Sequence, residues 1–219
     1  MPRLLFTKTG SAVWMSHLDL MRLFQRAFKR AGLHLTHTQG YNPRPSVSIA
    51  LPLSVGTQSV CELLDFELND ENINYQTIRT QLNRVLVQGV EVLDVYENEK
   101  KIRDLAYLRC EVVLHYDVEI PCGAQKAIQE LFSRSELMVV KKTKNGPKDQ
   151  DIIPMIRNIR VSSARESALV ICALVCCQNP TLNPSQLVQA IHENVPQYAP
   201  DHITYRRLEI YDKDEKLFR

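Results

Sequence analysis

The chain has 219 residues, of which 44% are hydrophobic and 24% charged, and its 27 basic and 25 acidic residues give a net charge of +2 at pH 7. This composition is typical of a globular protein and excludes a collagen-like repeat, a disordered chain and a disulfide-rich scaffold. The length suits one large domain or two domains of about 100 residues each.

The small net charge hides an uneven distribution of charge along the chain. Residues 61–120 contain thirteen acidic and six basic residues, whereas the first fifty residues contain a single acid, Asp19. The basic residues among those fifty are Arg3, Lys8, Arg22, Arg26, Lys29, Arg30 and Arg44. A basic segment of this kind predicts a surface that meets an anionic partner.

The N terminus and the cysteines indicate a reduced, cytoplasmic protein. Polar residues follow the first six positions at once, which is unlike a signal peptide, and the longest apolar run, residues 168–177, is too short to cross a bilayer as a helix. Cys172, Cys176 and Cys177 lie in that run, which predicts a buried strand with cysteines in the core. Because Asn179 stands where an iron–sulfur site would need a third thiolate, we expect no metal and no cofactor.

The hydrophobic pattern of the first half predicts the order β-α-β-β-α-β. Strands are predicted at residues 3–9, 47–53, 61–68 and 90–96, and helices at 16–31 and 75–87. Ser16 and Asp19 have the spacing of a helix-capping box. This element order is the signature of the ferredoxin-like fold.

The second half repeats this order more loosely. Strands are predicted at 105–116, 137–143, 152–161, 168–177 and 203–211, and helices at 125–132 and 184–191, which leaves room for one extra strand. Apolar residues thin out at 97–104, where we place the boundary. The sequence therefore predicts an α+β protein of two tandem ferredoxin-like domains with antiparallel sheets, at residues 1–100 and 104–219.

The predicted helix 16–31 has two faces. Its apolar residues follow a helical rhythm, while Arg22, Arg26, Lys29 and Arg30 lie roughly opposite Leu20. Such a stripe can follow a phosphate backbone and release its counterions, although a solvated helix face has the same pattern. Arg22 can also pair with Asp19, three residues earlier.

The loop that follows, residues 38–46, combines side chains that suit single-stranded nucleic acid. Pro43 and Pro45 bracket Arg44 and hold the chain extended, and Gly40 permits a tight turn. Tyr41 offers a ring for stacking and Asn42 an amide. A loop that only connects two strands can contain the same residue types. The sequence therefore leaves open both a nucleic-acid-binding loop and a purely structural one.

Other polar residues give weaker indications. His17, in the first helical turn, could donate to an anion or act as a general base. A histidine at this position can equally serve only in local helix capping. Lysines 141, 142, 144 and 148 surround Asn145-Gly-Pro and predict a hairpin tip. The sequence lacks the GxGxxG and GxxxxGK phosphate-binding loops.

The motifs at residues 15–53 resemble a known family. They are Ser16-His-Leu-Asp-Leu-Met-Arg-Leu-Phe-Gln-Arg-Ala, Ala31-Gly-Leu, Gln39-Gly-Tyr-Asn-Pro-Arg-Pro and Leu51-Pro-Leu-Ser-Val-Gly. On these residues the chain resembles the bacterial radical-SAM-linked protein family, a domain of unknown function encoded beside or fused behind radical SAM proteins. The resemblance implies a radical SAM protein as partner, since this chain has no CxxxCxxC of its own. The positions that map onto the family motif are Ser16, His17, Asp19, Arg22, Arg26, Gly40, Asn42, Pro43 and Pro45.

Three functions follow from these observations. The favoured hypothesis is a non-catalytic RNA-binding or substrate-presenting partner of a radical SAM enzyme that modifies tRNA or rRNA. Its binding residues would be Ser16, His17, Asp19, Arg22, Arg26, Arg30, Gly40, Tyr41, Asn42, Pro43, Arg44 and Pro45. The tandem architecture is also similar to that of CRISPR RNA-processing endonucleases, with His17 as the weak catalytic candidate, but the glycine-rich C-terminal loop of that class is absent after Gly146. The third hypothesis is a protein–protein adaptor without nucleic acid.

Overall fold

Residues 1–70, 72–143 and 146–219 are described by a computed structural model, in which they form two units. The first unit comprises Met1–Ile102 together with Arg219, and the second comprises Arg103–Phe218. Both combine helices with antiparallel strands, so the protein is α+β as predicted. Within the described residues, no helix is both long enough and apolar enough to span a membrane.

The first unit has the predicted element order. Its elements are β1 (Pro2–Lys8), α1 (His17–Arg30), β2 (Val47–Ile49), β3 (Thr57–Phe66), α2 (Tyr75–Val85) and β4 (Val90–Glu97). The sheet has the order β4-β1-β3-β2, and each pair of neighbours is antiparallel. The prediction for residues 47–53 was too long: β2 ends at Ile49, ahead of Pro52, whose missing N–H group cannot extend a ladder. β3 also starts four residues earlier than predicted.

The apolar stripe of α1 anchors this helix and fixes its orientation. Leu20, Phe24, Ala27 and Phe28 are buried. The ring of Phe24 meets that of Phe6 edge-on, with centroids 4.7 Å apart, and the Phe28 ring lies 5.0 Å from that of Phe66. Because this face packs on the sheet, the opposite face of α1, with its basic residues, lies in solvent.

The second unit contains four strands in its main sheet and a separate hairpin. Its elements are β5 (Leu105–His115), α3 (Ala124–Leu131), β6 (Met138–Thr143), β7 (Gly146–Asp151), β8 (Ile156–Arg165), β9 (Ala168–Cys176), α4 (Ser185–Asn194) and β10 (His202–Asp212). The main sheet has the antiparallel order β10-β5-β9-β8. β6 pairs with β7, which confirms the predicted hairpin, although its tip residues Lys144 and Asn145 lie outside the described residues.

Two sequence predictions for the second unit were wrong. The single strand predicted at 152–161 is interrupted by a 3-10 turn, Ile153–Met155, where Pro154 lacks a donor for the ladder, so β8 begins only at Ile156. Cys172 was predicted to lie in the core, but it is exposed, because it occupies the face of β9 opposite to the buried residues Ile171 and Ala173. Cys177 is buried and Cys176 half-buried.

Candidate nucleic-acid interface

The start of α1 is a capping box built from predicted site residues. The backbone N–H of Asp19 donates to Ser16 Oγ at 3.2 Å, and the Ser16 hydroxyl donates to Asp19 Oδ2 at 2.7 Å. That side-chain hydrogen bond, together with the nearby charge of Arg22, lowers the pKa of the Asp19 carboxyl. Ser16 and Asp19 therefore fix the N terminus of the helix and keep a carboxylate there.

The basic residues of α1 line one shallow cleft on the exposed side of the helix. The cleft has a volume of about 560 Å³, and Arg22, Arg26, Lys29 and Arg30 all contribute to its wall together with Asp19. Each of the four cations is exposed. We call this feature the basic cleft. Its walls carry four positive charges and one carboxylate, which makes it a site for an extended anion.

The four cations differ in their contacts. Arg22 Nη1 lies 3.8 Å from Asp19 Oδ1, with both side chains well exposed, so this ion pair is weak. Arg30 Nη2 donates to the Val85 carbonyl oxygen at 2.8 Å and so covers a carbonyl at the end of α2. Within the described residues, neither Arg26 nor Lys29 has a hydrogen bond or an ion pair. Those two residues are therefore the cations most available to a ligand.

The loop after α1 is a narrow hairpin whose tip carries the remaining predicted site residues. Thr38 N–H donates to the Arg44 carbonyl at 2.8 Å, Arg44 N–H donates to Thr38 Oγ1 at 3.0 Å, and His37 bridges Pro45. Gly40 has φ of +143°, in the region that favours glycine.

The side chains at the tip of this hairpin point into solvent. Tyr41 is 100% exposed, and Asn42, Pro43 and Arg44 are exposed as well. In the described part of the chain the Tyr41 ring, the Asn42 amide and the Arg44 guanidinium have no hydrogen-bonding or ring partner. A fully exposed tyrosine beside a free guanidinium is available to stack with or bind a ligand.

A second cleft connects the helix to the base of this hairpin. It has a volume of about 370 Å³ and is lined by Lys29 and Gln25 from α1, by His37 and Pro45 from the hairpin, and by Asn69. Lys29 lines both clefts, so the basic face and the hairpin belong to one surface. Lys29 was predicted to lie on the basic stripe of α1. The sequence gave no indication that Gln25 and Asn69 line a cleft, because that depends on how the hairpin folds back toward α1.

His17 stands apart from these basic residues. Its position on α1 is about 140° around the helix axis from Arg22, at 100° per residue. It is half-buried, lines neither of the two clefts, and its Nδ1 atom is buried without a hydrogen-bond partner in the described residues. The same residues hold no cluster of three or more His, Cys, Asp or Glu side chains arranged for a metal ion.

Comparisons with solved structures show likeness at low sequence identity. A chain of the Cbf5–Nop10–Gar1 complex matches with a TM-score of 0.55 and 10% identity over 98% of this protein. An H/ACA RNP bound to a substrate RNA containing 2′-deoxyuridine gives 0.48 at 9% identity, and the archaeal box H/ACA sRNP Nop10–Cbf5 complex gives 0.46 at 10%, each over 94% of this protein. The protein spans 50% of the first chain and 46% of each of the other two.

Sequence comparison identifies the family. No curated protein matches the chain. The model of a family described as "uncharacterized protein conserved in bacteria (DUF2344)" matches residues 2–184, a span that includes α1, the hairpin after it and both clefts. Because this match covers most of the sequence, the chain belongs to that bacterial family.

Proposed function

We propose that this protein is a non-catalytic RNA-binding protein that presents its RNA to a modifying enzyme. The observation that carries the proposal is the basic cleft, in which four exposed cations from a single helix meet one carboxylate. Cations in such a row neutralise successive phosphates and gain free energy by releasing the counterions of the nucleic acid. The position of Lys29 in both clefts extends the anion path from α1 to the hairpin.

The hairpin tip supports single-stranded RNA as the ligand. Unpaired bases stack on aromatic rings and guanidinium planes and hydrogen-bond through their exposed edges. Tyr41, Asn42 and Arg44 supply a ring, an amide and a guanidinium that are exposed in the free protein. A duplex, with its bases already stacked on one another, would leave these groups unused.

The enzyme in this proposal is a radical SAM protein that modifies tRNA or rRNA. Support for this partner comes from the motif resemblance at residues 15–53. The likeness to the Cbf5–Nop10–Gar1 chain supports a common fold alone. Since His17 lies outside both clefts, the site offers less support for an RNA-cleaving role than for binding.

We also propose that the two units are tandem ferredoxin-like domains, at residues 1–100 and 104–219. The support is their strand order, β4-β1-β3-β2 and β10-β5-β9-β8. In both, the last strand lies beside the first, and a helix follows the first and the third strand of the sheet. The β6–β7 hairpin is then an insertion into the second domain.

A salt titration tests the proposed function. Binding of a labelled single-stranded RNA is measured by fluorescence anisotropy for the full chain and for a triple variant, Arg22→Ala/Arg26→Ala/Arg44→Ala. Loss of three phosphate contacts should weaken binding and lower the slope of log K against log salt by roughly 2, at about 0.7 per contact. The matched control removes three exposed cations of the second unit, Lys126, Arg134 and Lys213, and should bind as wild type. Binding that ignores salt, or that the triple variant retains in full, contradicts the proposal.

The partner is tested separately from the RNA. A tagged full-length chain is purified from its native cells with and without RNase treatment. The proposal expects RNA and a radical SAM protein to co-purify. If a radical SAM protein remains after RNase treatment and RNA is never recovered, the adaptor hypothesis replaces this one.

A further inference from the structure

One face of the main sheet of the second unit is only partly covered: Leu174 and Tyr107 on this face are buried, but several of its polar residues are exposed. Along β5, Cys110, Val112 and Leu114 are buried, whereas Arg109 between Leu108 and Cys110 is exposed. The alternate residues on the same side as Arg109 form what we call the open sheet face. Because side chains alternate across a strand, this face is made of every second residue of β5 and β9. In β8 and β10 the alternation shifts by one residue at the irregularities between Ile156 and Asn158 and between Arg207 and Glu209.

One row of the open sheet face ends in an arginine on each side. Arg160 on β8 pairs with Cys172 on β9, Cys172 with Glu111 on β5, and Glu111 with Arg206 on β10. Both arginines are exposed. With three strand spacings of about 4.8 Å between them, their Cα atoms lie roughly 14 Å apart. The row is thus wide enough for an extended ligand that crosses the sheet.

Two further arginines lie over tyrosine rings. The Arg109 Cζ atom lies 5.3 Å from the centroid of the Tyr211 ring. Arg157 Cζ lies 5.0 Å from the Tyr107 ring centroid, and its Nε donates to the Tyr107 hydroxyl at 3.0 Å. These contacts order both guanidinium groups, and both arginines remain exposed to solvent. An ordered guanidinium can stack on a base at a smaller entropic cost than a mobile one.

The positive charge of this face is not neutralised by ion pairs. In the part of the chain that the structure describes, none of the four arginines forms an ion pair with a carboxylate. Glu111 and Glu209 on this face are half-buried, and the exposed Glu215 acts electrostatically on Arg157. Four exposed cations therefore stand against two half-buried acids and one exposed acid nearby, and this excess of positive charge complements a polyanion rather than a basic partner.

From this arrangement we propose that the open sheet face is a second binding surface, specific for single-stranded RNA. Arg160 and Arg206 contact phosphates at its two sides, and the guanidinium groups of Arg109 and Arg157 stack on unpaired bases between them. A duplex buries its base faces and can use only the phosphate contacts. This inference does not depend on the basic cleft of the first unit, so either surface can bind RNA without the other.

The test compares single-stranded and duplex probes on the full chain. Anisotropy is measured with a labelled oligouridylate and with an RNA duplex of equal length, for wild type and for Arg160→Ala/Arg206→Ala. Both substitutions affect exposed side chains without ion pairs, so the fold should persist, and circular dichroism checks this. Loss of two phosphate contacts should lower the salt slope for the oligouridylate by roughly 1.4. The control Lys126→Ala/Arg134→Ala, which removes two exposed cations from the region of α3, should leave binding unchanged.

A second variant separates base stacking from charge. Arg109→Lys/Arg157→Lys keeps both positive charges but removes the planar groups. It should bind the oligouridylate about tenfold more weakly, a typical cost of losing base stacking, while its affinity for inorganic polyphosphate stays at the wild-type value. If both ligands bind as they do to wild type, the stacking role is wrong.

The outcomes also separate this inference from the proposed function. If only the Arg22/Arg26/Arg44 variant loses RNA, the basic cleft is supported and the open sheet face is refuted as a binding surface. If only the sheet variants lose RNA, the open sheet face is supported and the role of the basic cleft is refuted. Equal loss of the oligouridylate and the duplex by the sheet variants contradicts the specificity for single strands.

Discussion

Phe24 is the residue whose loss should most directly release α1 from the sheet. Its side chain is 0% exposed, and its ring packs edge-on against Phe6 at 4.7 Å with an interplanar angle of 69°. Truncation to alanine removes the ring and leaves a cavity, at a typical cost of 3–5 kcal/mol, or about a third or more of a marginal stability near 10 kcal/mol. We therefore expect Phe24→Ala to lower the free energy of unfolding of the first unit by about 3–5 kcal/mol.

The assay is urea denaturation followed by far-UV circular dichroism. Leu18→Ala is the matched control, because Leu18 lies on the same helix but is 64% exposed, and its loss should change the free energy of unfolding by less than about 0.5 kcal/mol. A double-mutant cycle of Phe6→Leu and Phe24→Leu should give a coupling of about 0.5–1.5 kcal/mol for the aromatic pair. A cost below about 1 kcal/mol for Phe24→Ala would refute the packing described for α1.

Three further predictions concern positions outside the proposed binding surfaces. Asn83 makes two side-chain hydrogen bonds to the backbone of Val92, each 2.8 Å long, so Asn83→Ala should cost about 1–3 kcal/mol in urea denaturation, and a cost near zero would contradict this link between α2 and β4. Gly89 has φ of +90°, and an added Cβ would lie 2.3 Å from a backbone oxygen. Gly89→Ala should therefore lower the free energy of unfolding by about 1–3 kcal/mol or more, and an unchanged urea midpoint would show that alanine is not strained at this position. Burial raises the pKa of Cys177 to about 11, so an aromatic disulfide reagent at mildly alkaline pH should modify the exposed Cys122 and Cys172 before Cys177. The variant Cys122→Ser/Cys172→Ser should therefore lose the fast phase of labelling, and fast labelling of Cys177 would contradict its burial.

The helices were predictable because each has apolar residues at helical spacing, and α1 also has a capping signal at its start. α1 was predicted at 16–31 and forms at His17–Arg30, since Ser16 and Asp19 cap it and Leu20 and Phe24 repeat at helical spacing. The exposed position of the basic residues was predictable for the same reason, because a helix that buries its apolar stripe exposes the opposite face. Exposure of Arg22 and Arg26 therefore followed from sequence alone.

The parts that sequence reasoning missed depend on contacts between distant segments. β7 was not predicted as a strand, because Lys148, Asp149 and Gln150 give it no apolar pattern. It forms because its backbone pairs with that of β6. The apolar run 168–177 predicted a buried strand with its cysteines in the core, but Cys172 is exposed in the middle of β9. The open sheet face could not be predicted from the sequence. Arg109, Arg160 and Arg206 are far apart in sequence, and only the pairing of four strands brings them onto one surface.

In the proposed function, RNA lies along the basic cleft and the hairpin of the first unit. The most direct measurement is ultraviolet cross-linking of the full chain in its native cells, followed by mass spectrometry to locate the cross-linked nucleotides. We expect nucleotide adducts on Tyr41 and on peptides that contain the exposed residues of α1. Recovery of the chain with a protein partner but without any cross-linked nucleotide in residues 16–46 would contradict it.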